Sequence, residues 1–489
     1  MLKLLTRFVK YSLVFILGGL FVFVAGDIAL SLRHPELQPW HTIKLKQEFN
    51  ASMAQASDWD SYLQLEQALF NELEHYNQTI IQPAIQLESS RYQAGGNKLQ
   101  RRLGQDWNRS YKLDTQQPRG VALLVHGLSD SPYSLKTIAQ HLNSQGIIAY
   151  GLRLPGHGTL PSGLDDIEWQ DWLAAVRIVD SHIRQQHNNL PYYYVGYSMG
   201  AALGVKLTLD AIAHNHKTPD QLVLLSPALG VSKLARFANL QRILSGNEMF
   251  AKARWLDVRP EYDPYKYNSF TKNAGRQIAL LINQTYADIE TLKKRGKANQ
   301  LPPVISFQSV VDATVNAVDL VDKLYAAVDN DHSELVLFDV NQMSYYKDII
   351  SYDPDSIIQA LRRLSASKFQ LTLITNHNEN TPGVTELTWS PDDSDFTRRP
   401  LPLAWPQDIY SLSHTSLPFP PHDPVYGYNF RNNEGRDIAT LGNLSVRGEQ
   451  GVLTMPAGSL LRLRSNPFYS YIEQRITEVI TKKSPTNHY

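Results

Sequence analysis

One pentapeptide in this chain of 489 residues has the residue types for covalent catalysis. Gly196-Tyr197-Ser198-Met199-Gly200 sets a serine between two glycines. A serine hydroxyl is a weak nucleophile until a neighbouring base takes its proton, and the base in turn needs an acid to orient it. The glycines matter sterically: the serine must sit on a turn so tight that little more than hydrogen fits at the flanking positions. Such a match arises by chance in about one chain of this length in six, so its setting has to decide. Tyr192 to Val195 reads as a buried strand before it, and Gly200 to Ala213 reads as a helix after it. Strand, turn and helix in that order expose the hydroxyl and leave backbone amides at a helix N-terminus, where developing negative charge is favoured.

The elements around the pentapeptide alternate. Val121 to Val125 is an apolar run between Gly120 and Gly127, as a buried parallel strand requires. Leu135 to Ser144 reads as a helix, Ile147 to Leu152 as a strand, Trp169 to Gln186 as an amphipathic helix and Leu222 to Leu225 as a further strand. This alternation predicts an α/β fold, a mostly parallel sheet with helices on both faces. Residues 230 to 300 break the rhythm and predict a helical cap over the C-terminal edge of the sheet. The sheet resumes at Val304 to Ser309, followed by a helix at Val318 to Ala327 and strands at Glu334 to Val340 and Phe369 to Thr375. Residues 343 to 366 read as helical, and 377 to 408, with Pro382, Pro391, Pro400, Pro402 and Pro406, as loop. Residues 34 to 115 form a helical preface, with helix-like spacing from Gln55 to Tyr76, and the main domain occupies 116 to 489.

Three runs, LLVHGLSDSPYS, LRLPGHGTLPSG and YYVGYSMGAALG, resemble the esterase and monoacylglycerol-lipase branch of the α/β-hydrolases. The resemblance implies an oxyanion hole made by the backbone amides of Leu128 and Met199, with His126 and His157 as structural histidines. It also implies the order serine, acid, histidine along the chain. Asp312 lies just past the strand Val304 to Ser309, and Val315 completes a pattern similar to the family's D-x-x-V. Asp319 and Asp322 fall inside the next helical pattern and are expected to be solvated. The histidine should follow the last strand. His332 precedes Glu334 to Val340, at the wrong end of a strand. His377, His414 and His422 remain. His414, which opens the proline-aromatic loop HTSLPFPPHDPVYG, is preferred as the base. The interval from Asp312 to His414 is longer than the family's usual few tens of residues, so an insertion at roughly 341 to 405 is expected.

The 47 basic residues balance 47 acidic ones, so nothing advertises nucleic acid. The chain has no cysteine, which excludes disulfides, thiolate metal sites and a cysteine nucleophile. No histidine pair has helical metal-binding spacing, and neither cofactor nor metal is expected. Lys3, Arg7 and Lys10 precede an uncharged run from Tyr11 to Gly26, and apolar character resumes through Leu32. Residues 1 to 33 are therefore expected to form an N-terminal membrane-anchor helix. The basic flank keeps the N-terminus cytoplasmic and places the catalytic domain on the exported side, periplasmic or extracellular. A cleaved signal peptide, releasing a secreted protein, is the alternative. The expected activity is hydrolysis of carboxylic esters, lipid-like or acyl esters, through an acyl-enzyme on Ser198. A peptidase, amidase or thioesterase on the same scaffold, or a non-catalytic binding module, are the competing readings. Dehalogenases and epoxide hydrolases of this scaffold use an aspartate where Ser198 stands.

Overall fold

The computed structural model describes residues 31–481, apart from 86–87, 231–247, 329, 331, 348–349, almost all of 351–368, 392–394, 433, 437 and almost all of 444–460, together with scattered positions before 31. Ten strands form one sheet: β1 (Tyr111–Leu113), β2 (Gly120–Val125), β3 (Ile147–Leu152), β4 (Tyr192–Tyr197), β5 (Gln221–Leu225), β8 (Val304–Ser309), β9 (Glu334–Phe338), β10 (Gln370–Asn378), β11 (Thr381–Trp389) and β12 (Thr397–Ala404). Two further short strands, β6 (Trp255–Asp257) and β7 (Phe270–Thr271), pair with each other outside it. The spatial order is β1-β3-β2-β4-β5-β8-β9-β10-β11-β12. Pairing is parallel from β3 across to β10, whereas β1 at one edge and β11 and β12 at the other are antiparallel.

Both faces of this sheet are covered, and its central strands are largely apolar and buried at every position. Val121, Leu123 and Val125 of β2 enter one core, and Ala122 and Leu124 enter the other. The first core takes α1 (Trp59–Tyr76), α3 (Trp169–Gln186), α4 (Met199–Ala213), α5 (Lys272–Lys294) and α6 (Ala317–Lys323). The second takes α2 (Lys136–Ser144) and α7 (Tyr469–Thr481).

The stretch expected as a cap divides in two. Helix α5 buries Ile278, Leu281, Ile282 and Ile289 in the first core, against α4 and α3, so it flanks the sheet and does not lie over its edge. The β6–β7 ribbon, with the loop between its strands, approaches the sheet's C-terminal end; residues 231–247 lie outside the described residues. The stretch 377–408, expected as loop, instead holds the end of β10 and all of β11 and β12. Proline is tolerated there because β12 is an edge strand with one side unpaired. The helix expected at 343–366 lies largely outside the described residues. Among the described residues no helix is long and apolar enough to cross a membrane, and more than half of the expected span from Tyr11 to Leu32 lies outside them.

Candidate active site

The turn after β4 brings Ser198 to the C-terminal end of the sheet, between β2 and β5. Gly196 is registered with Val125 on one side and Leu224 on the other. Ser198 has φ 53° and ψ −113°, a backbone conformation that costs of order 1–3 kcal/mol in a residue with a side chain. The turn is held by Ser198 N donating to Leu225 O at 2.9 Å, and by Ser198 O accepting from Ala228 N at 3.0 Å and Ala201 N at 3.1 Å. Neither glycine can be replaced without collision. A Cβ on Gly200 would stand 2.0 Å from Val125 O, and one on Gly196 would stand 2.5 Å from Ala201 Cα.

Ser198 Oγ lies 2.9 Å from His414 Nε2, and His414 Nδ1 lies 2.8 Å from Asp312 Oδ2. His414 is 5% exposed and the Asp312 side chain is fully buried. Burial alone would raise the Asp312 carboxyl. The His414 ring beside it and the amides of Val315 and Thr314, which donate to Oδ1 at 3.0 and 2.8 Å, outweigh burial and hold it below the ordinary carboxylate range. Those two amides give the Asp-x-x-Val pattern a physical reason: the turn after the aspartate fills one carboxylate oxygen and leaves the other for the ring. His414 arrives from far along the chain. After β12 the segment 407–412 runs back over the ends of β8 and β9, pinned by Asn341 N to Tyr410 O at 2.7 Å and Ser309 Oγ to Leu412 O at 3.0 Å. Tyr197 Oη donates to His414 O at 3.3 Å, a supporting role its place inside the pentapeptide did not signal.

On the opposite side of the serine, the turn after β2 abuts it. A Cβ on Gly127 would come within 3.1 Å of Ser198 Cβ, so the turn that carries Leu128 packs directly against Ser198. Met199 N is the first amide of α4. His126 anchors this turn: its Nε2 accepts from Leu154 N at 3.0 Å, which leaves Nδ1 to donate to Gly127 O at 2.8 Å. Burial drives the His126 pKa well down, and holds His157, which donates from Nδ1 to Pro155 O at 2.9 Å, at about 3. Both rings are neutral braces. His377 sits on β10 with an exposed side chain bonded to Thr385 Oγ1 at 2.7 Å, and His422 is exposed in a turn. Neither His377 nor His422 is bonded to Ser198 or Asp312.

A family model described as "Serine aminopeptidase, S33" matches residues 116–332. A thermostable monoacylglycerol lipase of Bacillus sp. (strain H-257) is 25% identical over 248 residues, covering 50% of this chain and 88% of that protein. A monoglyceride lipase homolog of Monkeypox virus is 23% identical over 221 residues, covering 42% of this chain and 75% of that protein. Among solved structures, the monoacylglycerol lipase of Paleococcus ferrophilus is 18% identical with a TM-score of 0.36, over 52% of this chain and 97% of that one. Sheet order and elbow give this chain the α/β-hydrolase fold. Its sequence similarity runs to the esterase and monoacylglycerol-lipase branch of that fold.

Proposed function

We propose that the chain is a carboxylic ester hydrolase that works through an acyl-enzyme on Ser198. The observation that carries the reading is the unbroken hydrogen-bonded line from Ser198 Oγ through His414 to Asp312 at the end of a strained turn. His414 accepts the serine proton as Oγ attacks the ester carbonyl. The Leu128 and Met199 amides receive the oxyanion, and Asp312 fixes the ring tautomer and stabilises the imidazolium. Return of the proton expels the alcohol, and a water activated by the same ring releases the acid.

Relatives that are monoacylglycerol and monoglyceride lipases support lipid-like esters as the substrate class. The description of the matching family model supports a second reading, amide or peptide hydrolysis on the same residues. The apolar segment from Tyr11 to Leu32 and its basic flank support attachment to a membrane, with the catalytic domain on the exported side. A fluorophosphonate probe should label the wild type and not Ser198→Ala. Medium-chain monoacylglycerols and p-nitrophenyl esters should turn over much faster than matched p-nitroanilides; the reverse order would support the second reading. Removal of residues 1–33 should move the protein from the membrane pellet to the soluble fraction without loss of labelling.

A further inference from the structure

The turn that presents the Leu128 amide is gripped from outside the sheet. Asp130 N donates to Gly127 O at 3.2 Å and closes it, with Ser129 inside at φ 66°. Two consecutive residues of the β6–β7 loop hold this turn. Tyr267 N donates to Ser129 O at 2.8 Å, and Lys266 Nζ donates to both carboxylate oxygens of Asp130 at 3.1 and 3.2 Å. The Asp130 side chain is only 6% exposed. Its Oδ2 is 2.8 Å from the point where a Cβ on Gly127 would stand, the same point that lies 3.1 Å from Ser198 Cβ.

The contacts continue toward the base. Lys266 N donates to Asp263 Oδ1 at 3.1 Å, and Arg464 Nη1 reaches Asp263 Oδ2 at 3.3 Å. The preceding carbonyl, Leu463 O, accepts from Ser413 Oγ and from Thr415 Oγ1, the two neighbours of His414. A line of polar contacts therefore joins the oxyanion turn to the histidine loop without passing through the sheet. An ion pair with one buried partner is a poor source of stability, because desolvation of that partner offsets much of the attraction. What a two-oxygen contact supplies instead is fixed geometry, at the one turn whose amide must meet a transient charge.

We propose that Lys266, acting through Asp130, is a positioning residue that fixes the Leu128 amide relative to His414. The inference rests on Ser198 as the nucleophile. Its test compares Lys266→Met, Asp130→Asn and Lys266→Arg with wild type in the full chain, using p-nitrophenyl ester kinetics and hydrogen exchange of a peptide spanning 126–131. Lys266→Met and Asp130→Asn should lower kcat roughly 10- to 100-fold with KM little changed, and exchange in 126–131 should quicken. Lys266→Arg, which keeps the pair, should recover most of the rate. If Lys266→Met does not fold, the near-isosteric Asp130→Asn decides. A loss confined to KM, or kcat within about threefold of wild type in Asp130→Asn, would overturn the inference while leaving the nucleophile intact. A wild type that neither labels with fluorophosphonate nor hydrolyses esters would bring down the serine reading, and this inference with it.

Discussion

Asp312 and His157 show two opposite uses of burial. In Asp312 burial is outweighed by the imidazole and two amides, so the carboxylate is held in its charged form against the His414 ring. Asp312→Asn keeps the shape but offers an amide that can hold the wrong tautomer. Turnover is expected to fall roughly 10³- to 10⁴-fold with fluorophosphonate labelling slowed in parallel, and His414→Ala should be as severe while His377→Ala is not. In His157 burial prevails over the backbone hydrogen bonds to Pro155 and Leu154 and lowers the pKa from 6.5 to about 3. The unfolded chain then binds a proton that the folded ring refuses. Its contribution to stability is full above pH 6.5 and is lost progressively as pH falls toward 3. Across that window one such ring costs about 1.4 kcal/mol per pH unit. His157→Gln should therefore flatten the acid side of the stability curve, read from urea midpoints at several pH values between neutral and mildly acid. The serine and its acid were legible in the sequence because each is set by neighbours one to three residues away. His414 was separable from His377 only by the character of its loop, since what brings it home is contact with Asn341 and Ser309.

At the scale of elements, the elbow works because β4 and α4 leave no room between them. Gly200 meets a carbonyl of β2, and that contact sets how closely α4 approaches the sheet and so where the Met199 amide points. Gly200→Ala must move either the helix or β2. Overpacking of this kind typically costs about 1–3 kcal/mol. The expected outcome is a lowered Tm together with loss of probe labelling larger than the lost stability explains. The strands and helices around the elbow could be read from the chain because their apolar runs are bounded by glycine and fully buried. Helix α3 runs over the residues its spacing implied, Trp169–Gln186. β11 and β12 could not be read that way. The prolines and exposed positions of β12 fit an edge, where a strand is defined by one neighbour's hydrogen bonds and not by its own pattern, and β11 is the strand that joins that edge to β10. The same extension makes the interval between acid and base so long. It adds strands beyond β9 and then returns the chain to the site.

For the whole molecule, the preface is part of the folded unit. Its helix α1 was visible from apolar spacing, but its attachment was not, because it depends on a charge 87 residues away. Arg153, just after β3 and 1% exposed, donates from Nε to Glu66 Oε2 at 3.0 Å and from Nη2 to Glu48 Oε1 at 2.9 Å. It also reaches the His157 carbonyl at 3.0 Å, and Glu66 accepts from Ser110 N and Oγ at 2.9 and 2.8 Å. The loop whose His157 meets His126 edge to face, and through it the turn after β2, is thus braced by residues of the preface. Removing one partner from such a cluster leaves a buried charge without compensation, at a cost of about 3–5 kcal/mol, whereas replacing the ion pair with apolar residues can be nearly neutral. Glu66→Ala should therefore destabilise the protein by several kcal/mol in urea unfolding, and Glu66→Met with Arg153→Met should destabilise it less than Glu66→Ala alone. If the brace matters for catalysis as well as for stability, the double variant will remain folded yet turn over esters more slowly. Equal rates in the wild type and the folded double variant would confine the preface to stability alone.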